Sequence, residues 1–100
     1  MAAFKLTSAA KGDLKRIAVF TERRWGKEQR NQYLRQLDAA FRELTENPGL
    51  GTRCDYIRPA YRKFPISSHV IYYRYSENDR VEIIRILHKH MDVSRALAKA

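Results

Sequence analysis

Apolar residues in the first half of the chain recur at three- and four-residue steps, whereas in the second half they alternate or run together. Residues 3–7 (Ala3-Phe4-Lys5-Leu6-Thr7) alternate briefly and predict a short strand. Ser8 then stands as the N-cap of a helix whose Leu14, Ile17, Ala18 and Trp25 share one face, with Ala10 above and Thr21 between. Gly26 ends that helix, as a residue free to take a left-handed conformation. A second helix starts almost at once, with Leu34, Leu37, Phe41 and Leu44 at helical spacing and Tyr33 and Ala40 beside them. Asn47-Pro48-Gly49 stops it, because proline cannot continue the hydrogen-bond ladder. Two amphipathic helices joined by so few residues form an antiparallel hairpin.

The hairpin's apolar stripes need a surface to cover, and the second half supplies one. Tyr56-Ile57, Tyr61 to Ile66, His69 to Tyr75 and Val81 to Leu87 are rich in β-branched and aromatic residues and read as strands. Ser76-Glu77-Asn78-Asp79-Arg80 is a polar stretch that suits a hairpin turn between the last two. Val81 to Leu87 is apolar on both faces, as a central strand requires. Val93 to Lys99 predicts a final short helix capped by Asp92. The order predicts an α+β fold: an N-terminal strand and antiparallel helical hairpin packed on a curved, mostly antiparallel 4–5-stranded sheet, with a short C-terminal helix. The sheet's other face is expected to stay partly open and to receive a ligand.

At 100 residues the chain predicts one domain, 1–100, with a core that needs no metal or disulfide staple. Its 44% hydrophobic and 31% charged residues exclude a disordered chain. No apolar run is long enough to span a membrane, and Met1-Ala2-Ala3-Phe4-Lys5-Leu6 lacks the features of a signal peptide. Cys54 is the single cysteine, which fits a reducing cytoplasm. Charge is the anomaly: twenty lysines and arginines against eleven acids leave +9. The excess is spread over both halves, so it is no detachable tail, and it attracts nucleic acid or an acidic protein alike.

His69, His88 and His90 are the histidines; His88 and His90, two apart, would project to the same side of a strand. No third metal ligand accompanies them except Asp92, which serves equally as a helix cap, so no metal and no cofactor are expected. A metal-free nuclease would need basic groups around a proton carrier, and Arg62, His69, Arg85 and His88 would supply them. Any basic sheet contains such a kit. Tyr56, Tyr61, Tyr72, Tyr73 and Tyr75 gather in the strands, where they are read first as core and second as base-stacking rings.

Three stretches are more specific: Ile57-Arg58-Pro59-Ala60-Tyr61-Arg62, Ser68-His69-Val70-Ile71-Tyr72-Tyr73-Arg74, and Ile84-Arg85-Ile86-Leu87-His88-Lys89-His90-Met91-Asp92. With Ala10, Asp13-Leu14, Ile17 and Trp25-Gly26, and the Phe41, Leu44, Pro48, Gly51 spacing, they resemble the ParE family of bacterial toxins over nearly the whole chain. Ala60 departs from the pattern, standing where the family usually has glycine. The resemblance implies a toxin of a type II toxin–antitoxin pair that acts on DNA gyrase, is neutralised by a ParD-like antitoxin and is no enzyme. RelE-type mRNA nucleases of the same superfamily provide the enzyme alternative, but their C-terminal tyrosine has no counterpart after Tyr75. Direct nucleic-acid binding ranks last.

The toxic surface is expected at Arg85, His88, Lys89, His90, Met91 and Asp92, supported by Arg58 and Arg62. Antitoxin anchors are expected on exposed parts of Leu14, Ile17, Trp25, Leu34, Leu37 or Phe41, although most of these positions also suit the core.

Overall fold

The chain begins with β1 (Phe4–Leu6), which leads into α1 (Ser8–Trp25). These coordinates come from a computed structural model that describes residues 4–75, 80–91 and 93–98. Thr7, one residue earlier than the sequence predicts, caps α1. Its hydroxyl accepts from the Ala10 N–H at 3.0 Å and donates to the Ile84 carbonyl at 2.7 Å, so one side chain starts the helix and ties it to the sheet. Ser8 is instead the first helical residue. Gly26, at φ 95°, is the whole connection to α2 (Lys27–Glu46). Asn47 closes α2, and a 3₁₀ turn at Pro48–Leu50 follows.

The remaining strands are β2 (Thr52–Arg53), β3 (Tyr61–Ile66), β4 (His69–Tyr75) and β5 (Val81–His88), and α3 (Val93–Ala98) ends the described chain. Among the described residues the sheet runs β1-β5-β4-β3-β2, parallel only between β1 and β5. β5 is an interior strand with a neighbour on each side, as its apolar faces predict. Tyr56 and Ile57, predicted as strand, lie in a turn instead. The Ile57 and Arg58 N–H groups both donate to the Cys54 carbonyl, and Asp55 accepts from the Ala60 N–H, which folds 54–60 into a tight loop. Of the turn predicted at 76–80 only Arg80 is described; Asp92 and Lys99 also lie outside the described residues.

Two layers of core sandwich the sheet. On one side Ile17, Leu37, Phe41 and Leu44 of the hairpin pack on Ile71, Tyr73, Ile83 and Ile86. On the other, Cys54, Tyr61, Tyr72, Ile84 and Leu87 meet Leu97 of α3. The face expected to stay open is therefore covered along its middle by α3 and the 54–60 loop. A register shift opposite Tyr72/Tyr73 leaves Ile84 without a partner on β4. This bulge lets Ile83 and Ile86, three apart, face the same helices. Tyr61, Tyr72 and Tyr73 are core residues, whereas Tyr56 and Tyr75 are exposed. No helix among the described residues is long and apolar enough to cross a membrane.

Candidate functional site

One face of α1, from Asp13 through Ile17, Phe20 and Thr21 to Trp25, walls a cleft. Its opposite wall is the end of β5 with the turn that follows, and the β3–β4 turn at Ser67 and Ser68 closes one end. The cleft encloses about 370 Å³. The Lys89 N–H donates to the Ser68 carbonyl at 3.0 Å, which joins the two turns.

His69 and His88 are register partners on β4 and β5, so their side chains stand on one face of the sheet. Their rings meet edge to face with centroids 5.6 Å apart, and the His90 ring lies 5.3 Å beyond His88. From α2, the Tyr33 hydroxyl reaches His69 Nδ1 at 2.7 Å and the Ile66 carbonyl at 3.3 Å. The shorter contact engages Nδ1 and leaves Nε2 as the other polar atom of the ring. Burial, reinforced by the neighbouring His88, holds the His69 imidazole below its ordinary value and so neutral at pH 7. The His90 N–H approaches His88 Nδ1 at 3.3 Å, which leaves His88 Nε2 as that ring's outward nitrogen. Among the described residues no group of histidine, cysteine and carboxylate side chains is arranged to hold a metal ion.

Asp13, buried on α1, lies at the base of the cleft. Arg85 grips it from two nitrogens at 2.7 and 2.9 Å, Arg16 donates at 2.7 Å and the Ile86 N–H at 3.0 Å. Burial alone would raise the Asp13 carboxyl, but the bonds from Arg85, Ile86 and Arg16 outweigh it and hold the group below its ordinary value. Arg85 is raised in turn by its bond to Asp13.

The residues expected to meet the target thus separate. His88, Lys89, His90 and Met91 cluster at the end of β5, and all are exposed. Arg85 is engaged by Asp13 and by the Ala96 carbonyl at 3.3 Å. Arg58 donates to the Leu97 carbonyl at 3.2 Å and Arg62 to the Gly51 carbonyl at 2.7 Å, so both brace loops and the tail helix. Of the nuclease kit, His69 and His88 are neighbours, while both arginines have these other partners.

The residues expected to meet the antitoxin separate too. Leu37 and Phe41 are core; Leu14 and Leu34 are half-buried in an apolar groove with Phe4 and Leu6. Ile17 and Trp25 line the cleft, beside His88 and Met91. Trp25, predicted on the buried face of α1, is 65% exposed, with the Arg24 guanidinium 5.8 Å from its ring. The sequence reading missed Phe20 as a wall of the cleft. Its signal was an apolar residue off the helix's main stripe.

The fold is that of toxins from type II toxin–antitoxin systems. A chain of the chromosomal ParDE TA system from P. aeruginosa superposes with a TM-score of 0.74 at 19% identity, over 88% of this chain and 96% of that one. The family model described as "ParE toxin of type II toxin-antitoxin system, parDE" matches residues 4–93. Toxin ParE1 of Mycobacterium tuberculosis is 42% identical over 94 residues, 94% of this chain and 96% of that protein. Toxin ParE1 of Caulobacter vibrioides is 41% identical over 92 residues, 92% and 94% of the two chains. The chain therefore belongs to the ParE toxin family, within the RelE/ParE superfamily.

Proposed function

We propose that this toxin arrests growth in the cytoplasm by binding DNA gyrase and blocking replication, and that a ParD-like antitoxin neutralises it. The observation that carries the reading is the ParE family match across residues 4–93. The toxin acts as one domain over 1–100, by protein contact, with no catalytic residue and no cofactor. The toxic surface is the exposed end of β5 with His88, Lys89, His90 and Met91, joined in sequence by Asp92, with Arg58 and Arg62 in support. The antitoxin uses the hairpin's apolar groove, where Leu14 and Leu34 flank Phe41 and Ala18. Such a groove suits the apolar face of an amphipathic helix.

Induced expression is expected to cause filamentation, DNA-damage signalling and gyrase-linked DNA breaks. Cleavage of translated mRNA with intact chromosomes would replace this reading with the nuclease one.

A further inference from the structure

We infer that the cleft between α1 and the end of β5 seats the toxin's target, and that it takes a protein segment carrying a carboxylate beside a large apolar side chain. The inference rests on the toxin reading and adds to it the site and the chemistry recognised there.

The apolar half of the recognition is exposed. Phe20 is 61% exposed, Trp25 65% and Met91 49%, and all three edge the same hollow of about 370 Å³. Large apolar side chains from separate elements converging on one hollow have the anatomy of a protein-binding surface. Ile17 and Ile86 give the hollow an apolar floor.

The polar half offers donors and a cation. Asp13 is the one carboxylate among the described residues lining the cleft, and Arg85, Arg16 and the Ile86 N–H occupy its oxygens. His69 and His88 both line the cleft with Nδ1 engaged, at 2.7 Å by the Tyr33 hydroxyl and at 3.3 Å by the His90 N–H, so Nε2 is the ring atom each has left for a ligand. The Arg16 side chain, 69% exposed, adds positive charge at the rim. A hollow with this balance, on a chain of net charge +9, complements a carboxylate.

The groove on the other flank of α1 has a different character. Phe4, Leu6, Leu14, Leu34 and Phe41 line it, with no histidine or serine among the described residues around it. The two flanks of α1 therefore sort two partners: the antitoxin helix on the apolar side, the target's acidic segment in the cleft.

Purified toxin, gyrase holoenzyme and the cognate antitoxin test this. Trp25→Ala and His88→Leu alter exposed side chains, and thermal unfolding checks that both variants stay folded. Each is expected to weaken inhibition of supercoiling by about tenfold or more, with antitoxin affinity held within about threefold. His88→Gln, which restores an amide donor, is expected to recover most of the loss. Equal inhibition by the Leu and Gln variants would overturn the carboxylate. Variants that lose antitoxin affinity but keep inhibition would give the cleft to the antitoxin, and unchanged variants would overturn the site. Should the wild-type toxin leave gyrase untouched, the gyrase reading falls and growth arrest becomes the readout. Folded, antitoxin-binding variants that no longer arrest growth then uphold the cleft, and variants that still arrest it overturn the cleft.

Discussion

Gly51 has no side chain because none fits. A Cβ there would lie 2.5 Å from the Tyr73 hydroxyl and 2.7 Å from the Lys63 carbonyl. That hydroxyl accepts from the Gly51 N–H and donates to the Pro48 carbonyl, both at 2.8 Å, so it cannot retreat without breaking two hydrogen bonds. Gly51→Ala is expected to cost about 1–3 kcal/mol in urea unfolding through overpacking. Ala60 has the reverse problem. Its φ of 68° puts a Cβ in the left-handed region, where glycine sits without strain. Ala60→Gly is expected to raise stability by up to about 1 kcal/mol, the relief of strain being partly offset by a freer unfolded chain. His69 gives stability a pH dependence. Because burial and His88 lower its folded value, its contribution is complete above the unfolded value of about 6.5 and is lost as pH falls toward the folded one. Unfolding free energy is therefore expected to drop as pH falls below about 6.5, and His69→Gln to flatten that limb. A variant with an unchanged limb would locate the protons on another group.

At the scale of elements, one ion pair joins three of them. Asp13 belongs to α1 and Arg85 to β5, and Arg85 also holds the Ala96 carbonyl in α3. Their side chains are 5% and 14% exposed, so removing one partner strands a charge that water reaches poorly. Arg85→Met is expected to destabilise the fold toward the lower end of roughly 3–5 kcal/mol, since Arg16 and the Ile86 N–H stay on Asp13. Loss of toxicity in that variant should track loss of folded protein, measured by thermal unfolding alongside growth arrest. Arg85 shows where the sequence was legible and where it was not. The helices, β3, β4 and β5 could be read because three- and four-residue spacing or alternation is a local property. The Thr7 cap could not, because what favours Thr7 over Ser8 includes the Ile84 carbonyl, distant in sequence. The bulge at Ile84 and the loop at 54–60 likewise depend on partners across the sheet. The cleft was half legible: His88 and Met91 were candidates for one partner, Ile17 and Trp25 for another. Only the packing of α1 on β5 brings them together.

The whole molecule carries +9 with ten basic residues in each half, so its field is broad. Within the fold several of these cations have acidic partners: Arg42 with Asp38, Arg53 with Asp55, Arg74 with Glu82, Arg85 with Asp13. Eleven acids cannot neutralise twenty bases, so a positive surplus remains whichever pairs form. Such a field speeds the approach of an acidic partner, whereas short-range packing in the apolar groove governs how long the partner stays. Salt separates the two effects, because the screening length shrinks from about 10 Å at 0.1 M to about 3 Å at 1 M. Association with an acidic ParD-like antitoxin is therefore expected to slow by about tenfold or more between roughly 0.05 and 0.5 M salt, while dissociation changes little. Surface plasmon resonance with full-length partners reads both rates. Leu34→Ala, which trims the apolar groove, should do the opposite, speeding dissociation and leaving the salt slope of association intact. A salt-independent association rate would show that the surplus charge faces something other than the antitoxin.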